Sequence, residues 1–471
     1  IERILADSDA PEHRLKRTLT AWDLTGVGIG AIIGTGIFVL IGTAIVGDAH
    51  RPGAGPGIML SFILSGITCA LAALCYAEFA AMIPVAGSAY TYSYATLGEF
   101  LAWLTGWNLI LEYGVACVAV AIGWSGYFNN ILKLCGLELP YWATHPPGAD
   151  GGIANIPAAI IVLLVTCILI VGVKESARAT CGIVLIKLAV IAFFIAVGTS
   201  SVDTANWPPF GAVGVAGVGA AAAIVFFAYI GFDAVSTTAE EAKNPQRDLP
   251  IGIFASLAIC TVLYISVAAI LTGLVPYSQI DVHAPVAEGL RMVGFKWGAA
   301  IVATGAVAGI TSVLVVMMLG QIRVFFAMSR DGLLGPWLSR VHPKFRTPHR
   351  ASYLTGVAVA IMVALIPIGE AAEMTNIGTL FAFVLVCIGI MVLRYTKPNH
   401  PRPFRMPFMP VVPILGVLAC LGLMYFLPWM TWIRFFVWTI IGILVYAMYG
   451  MRHSKLATRP STEQSETPRP A

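Results

Sequence analysis

Apolar runs long enough to cross a bilayer recur twelve times along this chain, and no other feature restricts its fold as strongly. Each helical crossing needs roughly 20 apolar residues. In hydrocarbon every backbone N–H and C=O must find a partner, which leaves only helices or a closed barrel. The runs lie at 22–46, 57–83, 98–131, 154–173, 179–199, 217–239, 251–275, 298–328, 351–368, 373–395, 411–428 and 432–451. A transmembrane barrel would show short alternating segments, which are absent. Charged residues make up 11% of the 471 positions and hydrophobic ones 58%, whereas a soluble domain is about a quarter charged. The chain therefore reads as an all-α integral membrane protein.

Charge placement sets the expected orientation. With the N-terminus in the cytoplasm, 22 of the 28 Lys and Arg fall on the inner side and five on the outer, leaving Lys187 inside a span. That is the bias of the positive-inside rule. Residues 1–21 then form a cytoplasmic segment carrying Arg14, Lys16 and Arg17, with no cleavable signal peptide visible. Residues 452–471 form a polar cytoplasmic tail, rich in Pro, Ser and Thr and expected to be disordered. The nine cysteines form no CxxC pair and lie mostly in apolar runs, so they read as buried thiols. The eight histidines show no metal-ligand spacing, and no metal is expected.

Two spans are poor helices. The first contains "GVGIGAIIGTGIF", residues 26–38, and the sixth contains "FFAYIGFDAVSTTAEEAKNP" with Gly231 followed by Asp233, Ser236, Thr237 and Thr238. They stand five spans apart. An odd number of spans per repeat inverts the second copy, so spans 1–5 (22–199) and 6–10 (217–395) are expected to be inverted repeats, with spans 11 and 12 (411–451) added. Paired interrupted helices in corresponding positions point to a transporter's binding site. Unwinding frees backbone groups where the chain lines a cavity. Amides at a half-helix N-terminus suit a carboxylate, and free carbonyls suit an ammonium. A zwitterion such as an α-amino acid fits both. The alternative is that the small residues only let helices pack closely.

Two ionisable residues lie deep in spans. Lys187 sits in "CGIVLIKLAVIAFFI", nine residues beyond Arg178. That is roughly 13 Å, near the middle of a ~30 Å core. An ionisable residue at that depth is by default functional. Burial favours a neutral lysine, so Lys187 can couple substrate movement to a proton, or else act as a fixed structural ammonium. Glu112, in "WNLILEYGVA", has three readings: a proton site, a partner for a cationic substrate, or a structural acceptor. Asp233 and Glu78, nearer the cytoplasmic ends, read as gating or structural pairs, with Arg323 a partner for either.

The blocks "GAIIGTGIF", "IPVAGSAYTY" (83–92), "GEFLAWLTGWNLILEY" (98–113), "EEAKNPQRDLPIGI" (240–253) and "RVFFAMSRDGLL" (323–334) occur in that order. Together they resemble the amino acid–polyamine–organocation (APC) superfamily of permeases, and the last two most resemble its cationic amino acid transporter (CAT) branch. With twelve spans rather than fourteen, the chain looks like a prokaryotic relative, which implies a bacterial-type plasma (inner) membrane. The resemblance implies a leucine-transporter-type fold of five plus five spans. It implies that Gly34, Thr35 and Gly36 hold the substrate carboxylate, and that carbonyls of Ile32, Ile33, Phe227, Ala228 and Ile230 cage the ammonium. It also implies that Lys187 stands where sodium-coupled relatives bind Na⁺, facing the carbonyls of Gly30 and Ile33 and the hydroxyls of Thr311 and Ser312. The coupling ion is then a proton, with no sodium and no cofactor. A Met317 facing the pocket would shorten it and favour small substrates such as alanine over arginine; simple packing of Met317 and Met318 is the alternative.

The expected function is proton-coupled import of an alanine-like or arginine-like L-amino acid, with an exchanger lacking proton coupling as the alternative. Membrane lipids are expected partners and nucleic acid is not; an accessory subunit is left open. A channel would be built from few spans around a shared axis, unlike twelve dissimilar ones. No HExxH, catalytic carboxylate pair or phosphate loop suggests an enzyme.

Overall fold

The computed structural model describes residues 18–48, 51–83, 88–96, 98–148, 151–172, 177–208 and 214–454. Arg14, Lys16 and Arg17, the tail from 455, and the side chain of Arg178 lie outside the described residues. Among the described residues the regular structure is helical, apart from a short hairpin, β1 (Gly47–Asp48) with β2 (Arg51–Pro52), and an isolated bridge between Leu19 and Ala242.

The first apolar run forms two helices, α1 (Ala21–Ile32) and α2 (Ile41–Val46), joined by a wide π turn at Gly36–Leu40 and bent by 44°. Thr20 and Asp23 start α1 as a reciprocal capping box. Then come α3 (Ile58–Met82), α4 (Ser88–Thr96), α5 (Glu99–Leu134), α6 (Ile156–Val171) and α7 (Ala177–Thr199). The sixth run forms α8 (Gly214–Val225), a 3₁₀ turn at Phe226–Tyr229 and the short α9 (Ala234–Thr237). The rest comprises α10 (Pro245–Leu274), α11 (Pro285–Met292), α12 (Lys296–Arg330), α13 (His349–Leu365), α14 (Ile368–Thr396), α15 (Val411–Tyr425) and α16 (Trp429–Val445), which runs on through Tyr446–Gly450 into α17 (Met451–His453).

Eight of these stretches are long and apolar enough to cross a bilayer; the bent pair α1–α2 makes a ninth, broken one. The apolar helices α6, α13 and α15 are shorter, at 16, 17 and 15 residues. Outward faces carry exposed side chains such as Leu164, Ile361 and Ile440, as lipid-facing helices do. The helices α4 and α11 fall between the expected spans. Helix α4 is short, and α11 is amphipathic rather than apolar. Two cysteines also depart from expectation, since Cys135 and Cys167 are exposed.

The long helix α5 runs through the centre, packed against α12 and α14. On one side α10 lies against α3 and α1, and α8 against α3; on the other α6 pairs with α13, and α7 lies on α12. At one end of α3, Glu78 is fully buried. Its partners are not Arg323 but Arg394 of α14, at 2.6 and 2.7 Å, and Arg402, at 3.3 Å, while the Met406 amide donates to it at 2.9 Å. A buried carboxylate needs this saturation, because an unpaired one would be prohibitively desolvated. At the opposite end the chain from Asp281 to Pro285 packs against Gly42 of α2, and Arg51 joins Asp48 and Glu373, at 2.6 and 2.7 Å.

Candidate functional site

The two interrupted segments meet at the centre of the molecule. Helix α1 ends as Ile33 turns into extended backbone (φ −74°, ψ 107°), and the 3₁₀ turn of the sixth run ends the same way at Ile230 (φ −60°, ψ 132°). Each break has a glycine pressed on an alanine of the other. A Cβ on Gly36 would overlap the Ala228 backbone. A Cβ on Gly231, whose φ of +119° already disfavours any side chain, would lie 2.9 Å from the Ala31 carbonyl carbon. Glycine is thus required by close approach at both crossings, beyond any effect on helix propensity.

The break leaves orphan amides on one side and carbonyls with other donors on the other. Among the described residues, no backbone carbonyl accepts from the amides of Gly34, Thr35 or Gly36. These are the orphan donors of a helix N-terminus. The Thr35 hydroxyl is buried and also without a partner. On the other side are the last carbonyls of α1. Ile29 accepts from the Ile33 amide at 2.9 Å. Gly30 accepts from Lys187 Nζ at 2.7 Å. Ile32 accepts from the Tyr264 hydroxyl at 3.1 Å, and that hydroxyl also stands 2.9 Å from the Ala228 carbonyl.

Lys187 is fully buried on α7. Its ammonium caps the C-terminal end of α1, where the helix dipole is negative and a cation is stabilised. Its stem crosses α12 at Gly309, where a Cβ would lie 3.1 Å from Lys187 Cγ. Thr311 and Ser312 have other commitments: Thr311 accepts from Trp124 Nε1 at 2.8 Å and donates to the Val307 carbonyl, and Ser312 donates to the Gly309 carbonyl. The α12 residue that touches the first break is Val313, whose Cγ2 would lie 2.9 Å from a Cβ on Gly34. Residues four apart share a helix face, so Gly309, Val313 and the buried Met317 form one ridge of α12, whose first two positions meet Lys187 and the first break. Phe227, Ala228 and Ile230 are buried in the second break, and the Phe227 carbonyl accepts from the Ile230 amide at 3.2 Å.

Glu112 is buried on α5 beside the Thr379 hydroxyl of α14. Sequence reasoning missed Tyr264 and Trp124. Tyr264 is a lone aromatic in an apolar stretch and Trp124 stands beside Tyr127 and Phe128, and the one available signal was that a buried Tyr or Trp needs a partner for its polar atom.

The amino acid permease family matches residues 19–449 of this chain. The branched-chain amino acid permease BcaP of Bacillus subtilis (strain 168) is 50% identical over 94% of this chain and 95% of its own length. The methylthioribose transporter of the same organism is also 50% identical, with the same coverage. Cationic amino acid transporter 1 of Arabidopsis thaliana is 41% identical over 81% of this chain and 64% of its own length. These relatives are permeases and transporters, not enzymes. A multi-pass helical protein with two interrupted segments crossing at its centre, matched over nearly its whole length, belongs to the amino acid permease family of the APC superfamily.

Proposed function

We propose that this permease imports a small L-amino acid by alternating access, coupled to a proton carried by Lys187, across a bacterial inner membrane with both termini in the cytoplasm. The observation that carries this reading is the bond from Lys187 Nζ to the Gly30 carbonyl, at the end of the half-helix that would hold the substrate. In this reading the amides of Gly34, Thr35 and Gly36 take the substrate carboxylate. Carbonyls of Ile32, Ile33, Phe227, Ala228 and Ile230 take its ammonium. No sodium is required, because the lysine supplies the positive charge at the end of α1. Loss of the Lys187 proton on the inner side removes the cation from that helix end, loosens α1 and releases substrate.

The packing supports a five-plus-five arrangement, to which the last two apolar helices would add two crossings. If the first span corresponds to the sixth, then α1 on α10 corresponds to α8 on α3, α5 on α14 corresponds to α12 on α7, and the pairs α5–α12 and α6–α13 map onto themselves. Those are neighbours that a two-fold axis in the membrane plane would generate.

The relatives' names do not choose one substrate, since two of equal identity are named for different cargo. The ridge ending at Met317 favours a small side chain over arginine. The test is sodium-free uptake of labelled L-alanine, L-leucine and L-arginine into proteoliposomes, acid outside. Accumulation of alanine that a protonophore abolishes is expected. Uptake only into vesicles preloaded with amino acid would overturn proton coupling and favour exchange.

A further inference from the structure

Tyr264 lies two turns along α10 from Ser256, and both face α1: Ser256 meets Gly28, and Tyr264 reaches Ile32. Tyr264 is fully buried, and its ring is held by those of Phe62 and Tyr229, each 5.5 Å away between centroids. Its single hydroxyl proton is within hydrogen-bond reach of two carbonyls, Ala228 at 2.9 Å and Ile32 at 3.1 Å. One carbonyl belongs to each interrupted segment. No other described side chain donates to both.

We propose that Tyr264 is a positioning residue that stands in for the substrate's ammonium, holding the two breaks together when the carrier is empty. The inference rests on the proposed function, in which the same two carbonyls receive the ammonium. A hydroxyl has one proton and an ammonium has three, so the substrate satisfies both carbonyls at once and displaces Tyr264 from at least one. After release, two buried carbonyls facing each other without a donor would repel and cost free energy. The Tyr264 hydroxyl, placing its one proton between them, lowers that penalty. The empty protein can then keep its breaks closed and return across the membrane. Without it the return leg needs substrate in the site, and a net importer becomes an exchanger.

The test compares net uptake with exchange in proteoliposomes of Tyr264→Phe, using labelled L-alanine. The phenylalanine keeps the ring and removes only the hydroxyl. Exchange into alanine-loaded vesicles should persist, while net uptake into empty vesicles falls about tenfold relative to it, since each factor of ten reflects a modest rise in one barrier. p-Aminophenylalanine placed at position 264 restores a donor and should restore net uptake. Equal net-to-exchange ratios in Tyr264→Phe and wild type would overturn the proposal. Should Tyr264→Phe fail to fold, the p-aminophenylalanine protein decides: exchange without net uptake there would overturn it equally. If the wild-type protein moves no amino acid in either assay, the proposed function itself fails, which is a distinct result.

Discussion

Gly36 is a residue at which the candidate site tolerates little change. Its missing Cβ is what lets the two breaks touch at Ala228. Forcing a methyl into a packed backbone crossing costs roughly 1–3 kcal/mol. Gly36→Ala is therefore expected to reach the membrane but lose about tenfold or more in alanine uptake, and uptake equal to wild type would contradict the crossing. Met317 sits at the other end of the α12 ridge. Met317→Ser should lengthen the pocket and raise arginine binding in a competition assay against labelled alanine. No gain would mean that Met317 only packs. Lys187 was legible in the sequence because a charge in an apolar run admits few explanations. Its acceptor at Gly30 followed from the family resemblance, and the geometry places Nζ there. Tyr264 was not legible, because a tyrosine among aliphatics announces nothing until the carbonyls it meets are in place. The resemblance assigned the Ile32 and Ala228 carbonyls to substrate, and Tyr264 stands within hydrogen-bond distance of both.

Among elements, the long spans were readable from hydropathy, since a run such as 251–275 can only be buried or lipid-facing. The short helices were not. Helix α11 has one apolar face and one polar face, which in sequence resembles a surface loop, yet it packs against the π turn of the first span. The ends of spans also differed from expectation. Polar residues extend several helices: α10 begins at Pro245 and takes in Gln246, Arg247 and Asp248 before the apolar run starts. The anchor at Glu78 ties α3 to α14 and to the segment carrying Arg402 and Met406. Truncating one member of a buried ionic cluster strands its partners and costs about 3–5 kcal/mol. Glu78→Ala should lower the melting temperature of the detergent-solubilised protein clearly, and should do so more than Glu370→Ala, whose partner Arg434 is 38% exposed. Equal shifts for the two would contradict the structural role given to Glu78.

At the scale of the whole molecule, a two-fold packing pattern surrounds a centre that holds the buried Lys187. In the proposed five-plus-five arrangement, inverted repeats would bring the first helix of each half to one centre, where the two glycine-rich segments are in contact. Lys187 caps one half-helix from a neighbouring element, so under the proposed mechanism a change in its protonation would be felt at the end of α1. The most direct measurement is the steady-state accumulation of labelled L-alanine in sodium-free proteoliposomes, acid outside, for wild type and Lys187→Ala side by side. The account predicts that wild type concentrates alanine and loses the gradient with a protonophore, while Lys187→Ala exchanges alanine but never carries it above the external concentration. A Lys187→Ala protein that concentrates alanine as wild type does would contradict proton coupling at Lys187.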